Sequence, residues 1–523
     1  MKQPIKRALI SVTDKRNLEI LARALADRGV EIIASGGTAT AIKDVQVDVT
    51  EISEITGFPE AMDGRIKTLH PKIHGGILAD RRKKKHRQQA EDLGVSMIDL
   101  VVVNLYRFRE AANNPDLDEL QVVEAIDIGG PTLIRAAAKN YDAVTVVVDP
   151  DDYDRLIDEM DGNNGEVLHE TRRMFASKAF HHTASYDTAI AAYFKRLVPP
   201  PPGNDPPEEI LSAFTKVHSL RYGENPHCKG ALYRMASPTE AFGGFKQLQG
   251  KELSYNNIHD MYAAFLLARD LGEHACAIIK HTNPCGAAAC GTVLESFIRA
   301  KKTDPISAFG SVVSFNGHVD AGTAEACREI FLEVVMARSF SDDALASLKK
   351  KKNLRLITVG NEAWDGTPAG WTGREVGDLL LMQERDEGFP ELEQLDYVTA
   401  RKPAPNEETA LRIAWRIVKH IRSNAIVICD DEGTIGVGAG QMSRVDSCRI
   451  AVDKAKREGL SIDGASAASD AFFPFPDGVE VLAEAGVRAV IQPGGSIRDK
   501  EVIEAAERLG ITMALTGRRH FRH

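Results

Sequence analysis

A proline-dense stretch, VPPPPGNDPPEE at 198–209, constrains this chain more than any other feature. Its prolines fix φ and remove backbone donors, so the stretch forms neither helix interior nor central strand. It reads as an extended, semi-rigid spacer over 199–209. The 523 residues therefore fall into a front portion, 1–198, and a back portion, 210–523. At about 150 residues per domain, a chain of this length holds roughly three to four folding units, so the back portion divides again. The charged, Gly-rich interval 355–400 is the expected place.

Composition excludes several classes. A hydrophobic fraction of 43% with 27% charged residues is that of a folded globular protein. The net charge of −10 argues against a nucleic-acid binder, and the basic runs Arg81–Arg87 and Lys349–Lys352 lack interleaved aromatics, as solvated surface would. Apolar runs such as Val101–Val103 fall far short of the roughly 20 residues that cross a bilayer. The short apolar run near the N-terminus is too brief for a signal-peptide core, so no membrane association and a cytoplasmic location are expected. Seven cysteines without a C-x-x-C pair point to reduced thiols.

The front portion alternates strand-like and helix-like pieces: Arg7–Val12, then Thr13 and Asp14 as caps of a helix through Leu25, then Val30–Ala34 and a second helical segment. With the valine-rich runs Leu100–Asn104 and Val144–Val148 this predicts an α/β fold with a parallel sheet, whose ligands gather at the carboxyl ends of the strands. Ser35, Gly36, Gly37 and Thr38 form a small-residue turn between strand and helix, where backbone N–H groups and the helix dipole favour an anion. The same residues suit any strand-to-helix turn. Ser11, Thr13 and Lys15 at the neighbouring strand end tip the reading toward phosphate.

Gly64–Pro71 concentrates Arg65, Lys67 and Thr68 beside a proline-limited turn. His70 and His74 imitate a metal pair, but Pro71 disfavours a helix running through them and no HExxH glutamate is present. Asn104 and Tyr106 follow a buried strand, and Asp127, Gly129 and Gly130 offer a carboxylate at a glycine-rich helix entrance, with Lys139 further along that helix.

Candidate strands in the back portion are Ala277–Ile279, Val312–Phe315, Ala425–Cys429 and Ala489–Gln492. The string Ile279–Gly286 superficially matches the H-x-E…P-C-x-x-C pattern of zinc nucleobase deaminases, yet Asn283 stands in place of the proton-shuttling glutamate and Cys290 is five residues after Cys285. No catalytic metal is expected. A Lys280–His281 pair remains, a cation beside a titratable base, suited to removing a proton from a weak amine while stabilising an oxyanion. A buried structural histidine is the competing reading.

In chain order, SVTDK, ASGGTA, GRIKTLHPKIHGGIL, NLYRF, IDIGGPTLIRAAAKN, RYGENPH, IKHTNPCG, SDAFFPFPDG, IQPGGSIRD and RRHFRH closely resemble the bifunctional purine-biosynthesis family that combines AICAR (5-aminoimidazole-4-carboxamide ribonucleotide) formyltransferase with IMP cyclohydrolase. The likeness spans essentially the whole chain, with departures at Arg107, where many members carry proline, and Arg422, where many carry lysine. It implies a methylglyoxal-synthase-like cyclohydrolase domain over 1–198 and two cytidine-deaminase-like units without catalytic zinc over 210–523. It further implies AICAR, formyl-AICAR, IMP and folate as ligands, 10-formyltetrahydrofolate as cosubstrate, and a homodimer.

By the same resemblance Lys280, His281 and Asn424 serve formyl transfer, while Arg221 and Arg519 meet the nucleotide phosphate. Tyr222, Phe309, Gly310, Phe472 and Asp477 line the base and folate pockets. Lys67, Tyr106, Asp127 and Lys139 form the cyclohydrolase proton-transfer set, with the Gly129 and Gly130 N–H groups on an oxyanion. Ser11, Thr13, Lys15, Ser35, Gly36, Gly37, Thr38, Arg65, Thr68 and Asn104 surround that substrate. A purely regulatory N-terminal module and a zinc deaminase are the rivals. A clustered acid–base set argues against the first and the broken zinc signature against the second.

Overall fold

A computed structural model describes residues 4–59, 61–62, 65–198, 206–235, 241–366 and 370–523. Gly64 and spacer residues 199–205 lie outside the described residues. The chain divides into two compact units, Met1–Ala213 and Phe214–His523.

In the first unit β1 (Arg7–Ser11), β2 (Glu31–Ala34), β3 (Thr50–Glu51), β4 (Leu100–Val103) and β5 (Thr145–Val147) form one sheet in the order β3-β2-β1-β4-β5. Every pairing is parallel. Both faces are covered, which is why β4 reads as an unbroken LVVV run. Leu9, Val101 and Val103 join one core, and Ala8, Ile10, Leu100 and Val102 the other. Chain order reverses between β1 and β4, so their carboxyl ends open the crevice where such sheets bind ligands.

Two local expectations need correction. The first helix starts at Leu18 with Asn17 as its left-handed N-cap and no side-chain cap, so Thr13 and Asp14 do not cap it. Asp14 instead accepts from the Arg16 backbone and guanidinium. Pro71 opens the helix Pro71–Leu78 rather than preventing one, because its missing N–H costs nothing at a first helical position; His70 is the N-cap and His74 lies inside.

The second unit begins with an exposed hairpin, β6 (Phe214–Leu220) and β7 (Gly230–Met235). Next come β8 (Lys246–Gln249), β9 (Cys276–Lys280), β10 (Asn283–Ala288), β11 (Ser311–Val319), β12 (Leu332–Phe340) and β13 (Arg355–Thr358), ordered β10-β9-β11-β12-β13-β8. A second exposed hairpin, β14 (Trp371–Val376) with β15 (Leu379–Glu384), occupies the interval after β13. Then β16 (Asp396–Tyr397), β17 (Ile426–Cys429), β18 (Thr434–Gly438), β19 (Ser466–Ser469), β20 (Ala489–Gln492) and β21 (Thr512–Leu515) assemble as β16-β21-β20-β19-β17-β18.

The two six-stranded sheets repeat one topology: an antiparallel hairpin at one edge, parallel strands after it, and an antiparallel strand at the other edge. A shared core holds Ile279, Val334 and Met336 of one sheet, Val427, Ala489 and Ile491 of the other, and Trp415. The helices Tyr255–Leu271 and Pro405–Val418 both contribute to it. At the seam the Thr434 hydroxyl lies 2.7 Å from that of Thr303, and Thr434 Oγ1 accepts from Ala287 N.

Candidate functional site

In the first unit the strand ends do converge. The helix Gly36–Asp44 starts directly after β2, with Ser35 as an extended N-cap. A Cβ built on Gly36 would meet Lys67 Nζ at 2.8 Å, and one on Gly37 would meet Lys15 Nζ at 3.3 Å. Two ammonium groups thus lie against the positive end of a helix dipole, an arrangement that attracts an anion. Thr68, next to Lys67, continues the loop onto the helix Gly129–Lys139: its Oγ1 lies 2.6 Å from where a Gly129 Cβ would stand.

Asp127 closes the cluster. Its Oδ1 accepts from Gly130 N at 2.8 Å, and its own N–H donates to the Tyr186 hydroxyl at 2.8 Å, which in turn donates to Ala125 O. Burial pushes the Asp127 carboxyl above the usual carboxylate range, opposed by N–H donors from Gly130 and Tyr106. Tyr106 presents its ring to solvent, 52% exposed. Lys67, Tyr106 and Asp127 are therefore brought to the rim of one crevice.

Asn104 and Thr38 are buried. Asn104 Oδ1 accepts from the Thr13 and Asp14 N–H groups at 2.7 and 2.9 Å, and its Nδ2 donates to Asp14 O. It pins the loop after β1. Thr38 Oγ1 accepts from Val12 N and donates to Val12 O, tying the same loop to the Gly36 helix. Of the expected oxyanion pair, Gly130 N donates to Asp127, and Gly129 N has no hydrogen-bond acceptor among the described residues. The Arg65 guanidinium pairs with Glu124 on the exposed surface. Lys139 ends an 11-residue helix that begins at Gly129, about 15 Å along the axis, because a helix rises about 1.5 Å per residue. It stands apart from the other three members of its expected set.

In the second unit Lys280 is the last residue of β9 and His281 opens the turn to β10. Lys280 Nζ donates to Phe309 O at 2.8 Å, leaving two of its three N–H donors for other partners. Phe309 is exposed and packs on Phe331 with ring centroids 5.3 Å apart, while Gly310 N donates to Phe331 O. The turn is unusual. A two-residue link with φ of 51° at His281 and 61° at Thr282 is a mirror-image hairpin turn, which ordinarily takes Asn-Gly or Asp-Gly. Left-handed conformation costs an ordinary L-residue about 1–2 kcal/mol, and a β-branched threonine there is a true outlier. Asp260 of the helix Tyr255–Leu271 accepts from Thr282 N at 2.7 Å and His281 N at 3.3 Å. Arg422 braces the other side, with its N donating to Asn283 Oδ1 at 3.0 Å and Nε to Thr282 Oγ1 at 3.3 Å.

Asn424 is held on both sides of its amide. Its Nδ2 donates to Gln441 O and Met442 O, and its Oδ1 accepts from Arg444 at 2.8 Å. Arg444 is itself buried in an ion pair with the fully buried Asp470, so Asn424 completes that charge network. The C-terminal tail anchors beside it: Arg522 N donates to Ser423 Oγ, and His520 sits between the carboxylates of Asp386 and Glu391. This holds Arg519 on an exposed segment, its guanidinium 4.8 Å from the Phe521 ring centroid. Arg221 and Tyr222 follow β6, the guanidinium 5.8 Å from the Tyr222 ring centroid. Phe472 is exposed ahead of the core residue Phe473, and Asp477 opens the helix Asp477–Glu484.

Sequence reasoning missed Asp260, Tyr186 and Asp270. The last, with Lys419 and His420 at 2.9 Å each, joins the two sheet-and-helix halves of the second unit. Among the described residues no group of three or more His, Cys, Asp or Glu is placed to hold a metal ion, and burial drives the Cys285 thiol up to about 12.

Comparison with known proteins matches residues 137–454 to the AICARFT/IMPCHase bienzyme family model and residues 17–132 to the MGS-like domain. The bifunctional purine biosynthesis protein PurH of Desulfitobacterium hafniense (strain DSM 10664 / DCB-2) is 48% identical over 524 residues, covering 99% of this chain and 100% of the relative. PurH of Bacillus mycoides (strain KBAB4) is 47% identical over 519 residues, with the same coverage. A crystal structure of ForH is 36% identical, with a TM-score of 0.34, over 36% of this chain and 97% of that one.

Proposed function

The chain belongs to the AICARFT/IMPCHase bienzyme family, and from that premise we propose how its residues divide the last two steps of purine biosynthesis. It transfers the formyl group of 10-formyltetrahydrofolate to the 5-amino group of AICAR, then closes formyl-AICAR to IMP with loss of water. We assign cyclisation to residues 1–198 and formyl transfer to residues 210–523, the spacer lying between them.

The AICAR amine is conjugated with its imidazole and carboxamide, so it attacks only as its proton leaves. His281 takes that proton and Lys280 meets the negative charge that develops on the formyl oxygen. The new C–N bond forms, the bond to folate N10 breaks, and N10 receives a proton. Arg519 and Arg221 hold the phosphate by forked hydrogen bonds. The observation that carries this reading is the strained turn at the end of β9, which presents a lysine and a histidine side by side.

Cyclisation needs no second reactant. The carboxamide nitrogen attacks the formyl carbon of the same molecule, so holding one rotamer supplies much of the rate. Lys15 at the Gly36 helix supports phosphate binding, and Lys67 at the same helix entrance, with Tyr106 and the raised carboxyl of Asp127, supports proton transfer. We further propose a cytoplasmic homodimer. The exposed apolar side chains of β6–β7 and β14–β15, including Phe214, Tyr233 and Leu381, suit a second copy of the chain, and light scattering tests this.

The deciding experiment supplies AICAR and 10-formyltetrahydrofolate to the full chain and follows tetrahydrofolate and IMP. His281→Ala and Lys280→Ala are each expected to lower formyl transfer by about a hundredfold or more. Near-wild-type turnover in both overturns the assignment.

A further inference from the structure

The Lys280-His281-Thr282-Asn283 turn has the backbone of a mirror-image hairpin and the wrong residues for it. A histidine and a β-branched threonine would leave that conformation unless something outside the turn held them. Among the described residues two neighbours, Arg422 and Asp260, hydrogen-bond to its inner residues or to Asn283. Arg422 touches only the side chains of Thr282 and Asn283. Asp260 alone takes both strained N–H groups, one on each carboxylate oxygen. Its own backbone is fixed near the start of a 17-residue helix that opens with a reciprocal Ser254–Asn257 capping box and packs into the shared core.

We propose that Asp260 is the positioning residue of formyl transfer: its carboxylate clamps the left-handed His281–Thr282 pair and so fixes where the His281 imidazole stands. This rests on the reading of His281 as the general base. Asp260 itself touches no reacting atom. With it removed, the turn relaxes toward conformations that histidine and threonine prefer, and the imidazole leaves the line between amine and formyl carbon while the phosphate contacts persist. A displaced base lowers turnover more than it lowers binding.

Full-length Asp260→Ala, Asp260→Asn, His281→Ala and the Asp260→Ala/His281→Ala double variant test this by steady-state formyl transfer. Asp260→Ala is expected to lower kcat by about thirty- to a hundredfold with KM for AICAR within about twofold, since a misplaced group affects mainly the chemical step. Asp260→Asn keeps one acceptor oxygen and is expected near a tenfold loss. Conversion of supplied formyl-AICAR to IMP stays at the wild-type rate in both, which separates a local effect from misfolding. In the His281→Ala background the Asp260 substitution is expected to cost less than about twofold more, because residues acting as one unit are not additive. If Asp260→Ala does not fold, Asp260→Asn carries the test alone. Wild-type kcat in the Asp260 variants, or an equal further loss in the double variant, overturns the proposal. Wild-type kcat in His281→Ala overturns instead the reading on which it rests.

Discussion

Asp127 shows how far a single residue could be read from sequence. Its place in IDIGG marked a carboxylate at a helix entrance, and the structure supplies the partners that no local pattern encodes: Tyr186, 59 residues away, on its N–H, and Gly130 on its Oδ1. Because burial raises its pKa, the native state holds a proton more tightly than the unfolded chain does. The unfolded state then binds fewer protons above the ordinary value of 3.8, and this residue's contribution to stability falls as pH rises from there through the raised value. Asp127→Asn removes that dependence. Its melting temperature relative to wild type is expected to climb between about pH 4 and pH 7, while cyclisation falls by about a hundredfold, the scale of a lost acid–base group. A constant difference in melting temperature across that range would contradict the raised carboxyl. Asn104 and Thr38 show the same limit that left Asp127 half read: the loop contacts they make were not legible in the sequence. Polar residues at strand ends serve ligands or loops equally well, and the partner that decides lies in another element: Thr13 and Asp14 are about 90 positions from Asn104.

At the scale of elements, burial was the legible property of the sequence. β4, β9, β11, β17 and β20 announce themselves as apolar runs, and two of them lead straight into expected site residues: Asn104 and Tyr106 follow β4, and Lys280 and His281 stand at the end of β9. Both exposed hairpins escaped because they cover no core of their own, and β10 and β18 because they are rich in glycine and proline. Close packing explains that composition. A Cβ on Gly286 would meet Ala300 O at 2.0 Å and one on Gly436 would meet Ala451 O at 2.1 Å, so each edge strand lies directly under the backbone of the next helix in the chain. The Gly36 entrance imposes a different demand. Its φ of +52° is a conformation a larger residue enters at a cost of about 1–2 kcal/mol, and its missing side chain leaves the space that Lys67 Nζ adjoins. Gly36→Ala is expected to lower the melting temperature by a few degrees and the kcat/KM of cyclisation by about tenfold or more, with formyl transfer unchanged. Equal losses in both activities would show that the glycine serves folding alone.

For the whole molecule, length and the proline spacer led to an expectation of roughly three to four folding units; the chain divides into two compact units between Ala213 and Phe214, and the repeat inside the second became visible only as topology. Its two sheets share strand order without a shared string of residues: CAIIK in β9 corresponds to IVIC in β17, alike in apolar character and different in the turn each one leads into. After β9 comes Lys280-His281-Thr282 on a clamped turn. After β17 comes Asp430, whose Oδ1 accepts from Glu432 N and Gly433 N and whose Oδ2 meets Arg299. On the proposed assignment one hairpin turn carries chemistry while its counterpart ties the halves together, so the fold repeats without repeating the Lys280-His281 pair. The same separation holds between the two units. The Lys67 cluster lies within Met1–Ala213 and the His281 turn within Phe214–His523, with no side chain common to the two constellations. Losses should therefore segregate by step. Full-length His281→Ala, given AICAR and 10-formyltetrahydrofolate, is expected to release tetrahydrofolate at least about a hundredfold more slowly yet convert supplied formyl-AICAR to IMP at the wild-type rate. Lys67→Ala is expected to release tetrahydrofolate normally while formyl-AICAR accumulates to near stoichiometry with it, detectable by chromatography. A slowed second step in His281→Ala, or a slowed first step in Lys67→Ala under initial-rate conditions, would mean that the two sites share machinery.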